Sequence, residues 1–430
     1  MNERIRSLFK SEFAKNVLTL MTGTLVGQLV SLAMAPIITR LFTPDDFTTL
    51  EQYTMLMTVA IVVVTGKYEF AIMQPREREG ARHVLILATR ISLWVCIALL
   101  IASFFLSDYV ADYYNNDVLG KWLWTLPIAL FAFAVFNIIN YWFTRQKNYK
   151  VAATSKIWFS VASEPAKIGT GLLSSGGAGL LWSTLAGNIL AAGYVVKQFL
   201  KDEPKGFKKD QGISLLEVAK EHKEYPLYTI WGSILNRLAQ WAHIGVFSHY
   251  YGLAAIGYMA LCRRIFLNPL NIFSNSYSQV FYQRISDITD PKKLESFYHR
   301  NIGRFVGFSI ALVIIVYLLP NNTMGFLFGQ EWNDTLKYLK LLSWWYALNF
   351  VTSSLSFITY RIKMQRASLV LDAVHFVFVY GAIIGAFSAG CNEMEALRWL
   401  VISKVIYFSL NIAVVLFYLR KYTERNQNAA

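Results

Sequence analysis

An arginine lies near the middle of a stretch that is long enough to cross a lipid bilayer. The stretch covers residues 225–251, YPLYTIWGSILNRLAQWAHIGVFSHYY, and Arg237 stands almost halfway along it. An arginine at this depth costs roughly 2.5–3.5 kcal/mol on insertion scales, so such residues persist mainly where they face a bundle interior or a wet cavity. The polar residues that share or flank its helical face are Ser233, Asn236, Gln240 and His243. The spacing therefore predicts a polar face with a guanidinium group at its centre.

Several other ionisable residues lie within predicted membrane spans. The cations are Lys67, Arg90, Lys167, Arg263, Arg264 and Lys404, and the acids are Glu69, Glu164 and Asp372. After plausible ion pairs are subtracted, an excess of cations is left at Arg237, Arg90, Arg263 and Arg264. A cavity with such an excess favours an anion, and the planar guanidinium group suits phosphate. These arginines are therefore candidate ligands of an anionic substrate.

The acids and the residues near them each have two interpretations. Glu164 and Lys167 stand three positions apart, so they can form a local ion pair on one helical face. Lys67 lies near the end of its span and can extend its ammonium group to the membrane surface. Asp372 and His375 share a helical face, and they can relay protons or simply hydrogen-bond a neighbour. The candidates for ion coupling are Glu69, Glu164, Asp372 and His375.

The composition identifies the class of protein that carries these residues. The chain has 430 residues, of which 55% are hydrophobic and 16% charged, whereas soluble proteins carry roughly 25% charged residues. The net charge of +14 is not gathered on one segment, because the basic residues lie in the gaps between apolar runs. This pattern is typical of membrane topology and argues against a nucleic-acid partner.

The apolar runs predict an all-α polytopic membrane protein with about twelve transmembrane helices, each near the ~20 residues that a crossing helix needs. The predicted spans are 16–41, 48–73, 83–107, 121–143, 151–173, 178–200, 225–250, 254–283, 301–320, 335–359, 366–388 and 395–419. The longest gap is the charged segment 201–224, which is too short for a separate soluble domain. We expect it to link a six-helix lobe, 1–200, to a second lobe, 225–430.

Lysine and arginine residues are concentrated in alternate gaps. Clusters such as Arg76, Arg78 and Arg82 alternate with gaps that are nearly bare of basic residues, such as SDYVADYYNNDVLGK and SAGCNEMEALR. The positive-inside rule therefore predicts that both termini lie in the cytoplasm.

The first and seventh spans align without a gap when Gly23 is set on Gly232. The polar residues Thr24, Gln28 and Ser31 then fall on Ser233, Arg237 and Gln240. Chance alignment of two membrane helices of similar composition is the alternative explanation. A true repeat would be parallel, with two six-helix lobes that bind substrate between them near the midplane. Because Gln28 is neutral, we expect the charge of that site to come mainly from helices 7 and 8.

Five segments of the chain resemble one known family of membrane proteins. They are PIITRLFTPDDF, KYEFAIMQP, YWFTRQKNYKVAATSKI, CRRIFLNPLNIFSNSYSQVFYQRISD and LFGQEWNDTLKYLKLL, in order across nearly the whole chain. In these segments the chain resembles the bacterial O-antigen and exopolysaccharide flippases, which share a superfamily with multidrug exporters and the lipid II flippase. It departs from the family pattern at Thr48, where a glycine is expected.

The resemblance implies two lobes around a cationic cavity in the bacterial inner membrane, with alternating access to its two sides. It implies a substrate made of an oligosaccharide repeat unit on an undecaprenyl pyrophosphate carrier. Membrane lipids, a polysaccharide polymerase and its chain-length machinery are the implied partners. It also strengthens Lys67 and Glu69, in KYEFAI, as site residues. We therefore predict substrate-binding residues at Arg237, Arg263, Arg264, Arg90, Lys67, Gln28, Asn236 and Gln240.

Two other functions are weighed against this one. A multidrug exporter of the same superfamily would favour acidic residues deep in the first lobe, and the first predicted span has none. A membrane polymerase or glycosyltransferase would carry a large outer loop with paired carboxylates or arginines, whereas the outer gaps here are short. Asp45 and Asp46 are better explained as a turn and helix cap. With no glycine-rich phosphate loop and no metal-binding motif, we predict no catalytic residue, metal or cofactor.

Overall fold

The computed structural model of the chain describes residues 12–202, 215–362 and 364–427. In these residues the chain is helical, without strands, and twelve long helical segments account for most of it. The first six are α1 Glu12–Ile38, α2 Pro44–Val64, α3 Arg78–Tyr114, α4 Thr125–Arg145, α5 Tyr149–Leu172 and α6 Gly176–Asp202. The predicted all-α fold class is confirmed.

The second six helices begin after the linker. They are α7 Ile230–Tyr251, α8, α9 Pro291–Leu318, α10 Thr335–Ser354, α11 Gln365–Ser388 and α12 Glu393–Gln427. Helix α8 is continuous but has three parts, Leu253–Cys262, a π-helical turn Arg263–Leu267, and Asn268–Asp287. A second π-helical turn, Tyr225–Thr229, leads into α7. All twelve segments overlap the spans expected from hydropathy.

The helices differ in how apolar they are. In the described part of the chain, seven segments are long and apolar enough to cross a membrane, and they belong to α2, α3, α4, α6, α9, α11 and α12. The other five long helices, α1, α5, α7, α8 and α10, do not meet this standard over their described residues.

Local sequence explains how α2 starts. Thr43 caps the helix through a reciprocal pair of contacts with Asp46, and Pro44 occupies the first helical turn. Such a capping box satisfies two backbone N–H groups that would otherwise lack partners. The prediction that Asp45 and Asp46 belong to a turn and cap is confirmed.

The chain forms two compact units, Met1–Trp241 and Ala242–Ala430, and their boundary lies inside α7. In the first unit α5 packs against α1 and α6, while α4 packs against α3 and α6. In the second unit α10 packs against α8, α9 and α12, and α11 packs against α12. The lobes predicted as 1–200 and 225–430 stay a prediction.

The core of the first unit lies beneath the end of α2. It is formed by residues of α3, α4 and α6 around Trp142 and Phe143, with Ile72 from the loop after α2. The short helix Leu215–Glu221, which lies within the linking segment 201–224, packs against α3 and contributes Val218 to this core. The packing thus brings the chain just before α7 onto the first unit.

Candidate functional site

The turn that follows α2 has an unusual backbone. Gly66 and Lys67 both adopt left-handed conformations, with φ of 57° and 60°, before the single-turn helix Tyr68–Ala71. For a residue with a side chain this conformation costs roughly 1–2 kcal/mol. The turn leaves the side chains of Lys67 and Glu69 only 8% and 7% exposed. A lysine and a glutamate are thus held in the protein at the end of the helix.

Charged and aromatic residues from three elements meet at this turn. The ammonium group of Lys67 lies 5.2 Å from the ring centroid of Phe70. Arg237, on the part of α7 that belongs to the first unit, lies close enough to Lys67 for their positive charges to repel. Glu69 lies within electrostatic range of Lys67 and of the Tyr141 hydroxyl on α4. The structure therefore brings together three predicted site residues, Lys67, Glu69 and Arg237.

The carboxyl group of Glu69 does not neutralise this cluster fully. It interacts with the Thr65 hydroxyl, but its Oε2 atom is buried without a hydrogen-bond partner in the described part of the chain. Among the described residues neither Lys67 nor Arg237 forms a direct ion pair with it. The acid of this cluster thus has unused bonding capacity, and the cations Lys67 and Arg237 repel each other. A buried charge without a bonded partner is costly. An anionic ligand with several oxygen atoms would relieve the repulsion between the cations.

An arginine at the end of α4 binds the backbone of residues 72–77, the segment that directly follows the charged turn. Arg145 donates from Nη1 to the backbone oxygens of Ile72 and Met73, at 3.2 and 3.4 Å. It donates from Nη2 to those of Arg76 and Glu77, both at 3.2 Å. The planar guanidinium presents five N–H donors in a fixed fork, which a lysine lacks. We name this set of four bonds the Arg145 clamp. Sequence reasoning missed it because Arg145 counted only as one of the basic loop residues.

The polar face of α1 packs against α5. The hydroxyl of Ser31 donates to Glu164 at 3.0 Å, and the Lys156 ammonium donates to the Thr24 hydroxyl at 3.1 Å. Lys167 forms an ion pair with Glu164 at 3.0 Å, so the local pair suggested by their spacing is present. Gln28 lies half-buried between the two contacts along α1. Sequence reasoning did not identify α5 as the partner, although Lys156, Glu164 and Lys167 share one of its faces.

A second polar cluster lies within the second unit. The amine of Lys404 on α12 lies 3.0 Å from His375 Nε2 on α11 and 4.8 Å from the ring centroid of Trp345. Lys404 is only 2% exposed. The His375 ring stacks on Tyr407 at 3.8 Å, and the Tyr407 hydroxyl donates to the exposed Asp372 at 3.0 Å. Asp372 and His375, predicted to share a face, are thus linked through Tyr407.

The remaining predicted site residues lie elsewhere. Arg263 and Arg264 are half-buried in the π-helical turn of α8, in the second unit. Arg90 on α3 and Gln240 on α7 are exposed. The side chain of Asn236 lies outside the described part of the structure. The substrate-binding roles of all these residues stay predictions.

Comparison with known proteins places the chain in a family and a fold. Residues 37–337 match the family described as polysaccharide biosynthesis protein. The lipid II flippase MurJ, in an inward-closed conformation, has a similar structure, with a TM-score of 0.68 and 14% sequence identity over 93% of this chain and 89% of that one. No curated protein matches the chain in sequence.

Two further solved structures share the fold. A transporter of the MOP superfamily from Pyrococcus furiosus has a TM-score of 0.58 and 13% identity, over 95% of this chain and 94% of that one. An outward-facing multidrug resistance transporter of the MATE family in the same superfamily has a TM-score of 0.55 and 15% identity, over 95% and 94%. The resemblance inferred from the five segments is confirmed by the family match, and the shared fold is that of known flippases and transporters.

Proposed function

This chain belongs to the polysaccharide biosynthesis protein family, and we propose that it is a flippase for lipid-linked oligosaccharides. We infer that its substrate is an oligosaccharide repeat unit on undecaprenyl pyrophosphate, moved by alternating access from the cytoplasmic to the outer leaflet of a bacterial inner membrane. The product would serve the assembly of O-antigen or another surface polysaccharide. A polymerase with its chain-length machinery would then consume it.

The observation that carries this proposal is that Arg237 lies within electrostatic range of the buried Lys67, which is also within range of the buried Glu69. A pyrophosphate group cannot cross hydrocarbon by itself, because its charges would lose their hydration without compensation. Two cations in a protein pocket can replace that hydration, and a guanidinium binds phosphate oxygens with charge-assisted hydrogen bonds. The polyprenyl tail needs no such shielding and can stay in the bilayer.

A multidrug exporter is the alternative that the fold allows. Organic cations would require a carboxylate as the main ligand, and Glu69 is the acid at this turn. The cluster nevertheless holds two cations, Lys67 and Arg237, and their positive charge would repel a cationic drug. The sign of the cluster therefore favours an anionic substrate over a cationic one.

Ion coupling would need an acid or base that can change its protonation during transport. Glu69 suits this role because one of its oxygens has no partner in the described part of the chain. Asp372 and His375 suit it because Tyr407 links the exposed acid to a buried pair of bases. Glu164 suits it less, because it is bonded to Lys167 and Ser31.

The test replaces Arg237 by alanine and by lysine. The loss of charge-assisted bonds worth ~1.5–3 kcal/mol would weaken binding of undecaprenyl pyrophosphate roughly 10- to 100-fold. We expect the alanine variant to lose affinity in this range and the lysine variant to lose less, because it keeps the charge without the fork. The readouts are the Kd of purified protein in nanodiscs and the surface polysaccharide of a deletion strain that expresses each variant at matched levels.

The control is Arg420→Ala, because Arg420 is exposed at the end of α12 and pairs locally with Glu424. It should bind and export like the wild type. In the absence of a working flippase, carrier-linked repeat units should accumulate on the cytoplasmic side. If both Arg237 variants bind and export like the wild type, the proposed site is wrong.

A further inference from the structure

Three asparagines mark one face of α8 beyond its π-helical turn. Asn268, Asn271 and Asn275 follow each other at steps of three and four, so their side chains lie on the same side of the helix. Seven residues of α-helix separate the first from the last, which corresponds to about 10 Å along the axis. We call this surface the amide face.

The amides of this face are accessible. Asn275 is exposed, and Asn268 and Asn271 are half-buried. In the described part of the chain, the side chains of Asn268 and Asn275 have no hydrogen-bond partner. Asn271 accepts a hydrogen bond from Asn349 on α10 at 3.3 Å. Among the described residues, two of the three amides therefore have hydrogen-bonding capacity that a ligand or water can use.

The opposite side of α8 has a different character. Phe273 and Val280, about half a turn away from the amide face, are 56% and 66% exposed. Exposed apolar side chains on a membrane helix are suited to lipid, whereas amides are not, because each polar group left without a partner in hydrocarbon is costly. The exposed parts of Phe273 and Val280 thus suit lipid, and we expect the amide face to border a wet interior.

The polar surface continues from α8 onto α10. The Ser353 hydroxyl donates to Asn349 at 3.4 Å, and Asn349 in turn donates to Asn271. These groups are uncharged and offer both donors and acceptors, which matches sugar hydroxyls rather than phosphate. Two arginines, Arg263 and Arg264, precede them directly in the π-helical turn before Asn268, and guanidinium groups are suited to phosphate. Such turns are frequent at functional sites.

We propose that the amide face of α8 is a saccharide subsite, which binds the uncharged sugar residues of the lipid-linked substrate. This inference rests on the proposed function, and it assigns the recognition of the sugar to α8 and of the pyrophosphate to cationic residues. Asn268 and Asn275 bind sugar hydroxyls directly. Asn271 is positioned by Asn349 and sets the orientation of the surface between them.

The test compares two ligands on the same protein in nanodiscs. One is bare undecaprenyl pyrophosphate, and the other is undecaprenyl pyrophosphate carrying the repeat unit extracted from the bacterium that makes this protein. We expect Asn268→Ala and Asn275→Ala each to weaken binding of the glycosylated carrier about fivefold, as for the loss of one or two neutral hydrogen bonds. Their affinity for the bare carrier should stay within about twofold of the wild type, since neither amide contacts the pyrophosphate.

Val280→Ala is the matched control, because Val280 lies on the same helix at the opposite, exposed side. It should bind both ligands like the wild type. Equal loss of affinity for both ligands in the asparagine variants would overturn the subsite, and so would unchanged affinity for the glycosylated carrier. Failure of the proposed function gives a different result, since the wild type would then bind neither ligand or Arg237→Ala would bind the bare carrier normally.

Discussion

Removal of the Arg145 clamp tests whether the charged turn after α2 is held in place from outside. The change is Arg145→Ala, which deletes four hydrogen bonds to the backbone between residues 72 and 77. The turn itself contains the strained left-handed residue Lys67. We expect residues 68–77 to open more often when the clamp is lost, because the four bonds of Arg145 then no longer offset the backbone strain at Lys67.

The magnitude follows from the exposure of the four bonds. Three of them are exposed, so water can replace the lost donor at little cost, and only the bond to Ile72 is partly buried. One charge-assisted bond contributes ~1.5–3 kcal/mol, so the free energy of local opening should fall by about 2 kcal/mol. This corresponds to about 30-fold faster amide exchange. The apparent Kd for undecaprenyl pyrophosphate can rise by at most the same factor of about 30, because it scales with the fraction of protein in the ordered state.

Hydrogen exchange followed by mass spectrometry measures the opening directly. Faster exchange is expected in residues 68–77 of Arg145→Ala, and normal exchange in Lys150→Ala, which removes an exposed charge five positions further along the chain. A double-mutant cycle then separates positioning from direct contact with substrate. If Arg145 acts through Lys67, its removal should cost no further affinity in a Lys67→Ala background. Unchanged exchange, or fully additive losses of affinity, would refute the reasoning.

Two further predictions concern stability, measured as thermal unfolding of purified protein in nanodiscs. Lys404→Ala should destabilise the second unit more than Lys404→Met, by ~2 kcal/mol or more, because alanine leaves a cavity whereas methionine fills most of the space; equal stability of the two would contradict the buried geometry at His375. Asn116→Ala should cost ~2–3 kcal/mol, because the buried Asn116 amide bonds Gln52 and caps a short helix. Asn116→Ser should lose less stability because serine keeps the helix cap. An alanine variant as stable as the wild type would show that the hydrogen bonds of Asn116 contribute nothing.

Hydropathy and charge alternation predict the helices well, because a bilayer imposes a length and a composition on every crossing segment. All twelve long helices of the described residues overlap predicted spans. Interactions between side chains of one helix could also be predicted from the sequence, because helical spacing alone fixes their distance. The ion pair of Glu164 with Lys167 is an example.

Features that depend on packing between helices could not be predicted from the sequence. The left-handed backbone of Lys67 could not be predicted from its residue type, because glycine is the residue that usually adopts this conformation. The acceptors of Arg145 are backbone oxygens, which every residue has, so no sequence pattern marks them. For Arg237 the sequence indicated a polar face but not its neighbours, because Lys67 is far away along the chain.

The two units share a structural device that the alignment of α1 with α7 did not use. Arg145, at the end of α4, binds backbone oxygens in the loop after α2. Arg361, just after α10, binds the backbone oxygens of Ile285 and Ile288 at the end of α8. In each half of the chain an arginine at or just after the fourth long helix thus binds backbone oxygens at or after the end of the second long helix. This correspondence supports an internal repeat independently of sequence similarity between helices.

If the scaffold is repeated, its polar chemistry has diverged. The first unit holds Lys67 and Arg237 close together near a single acid, whereas α8 of the second unit presents two arginines followed by uncharged amides. A substrate with a charged end and an uncharged sugar end also has two unlike parts. Divergence of the polar residues on a shared helical framework therefore suits the substrate that we propose, because each of its unlike parts needs a different set of side chains.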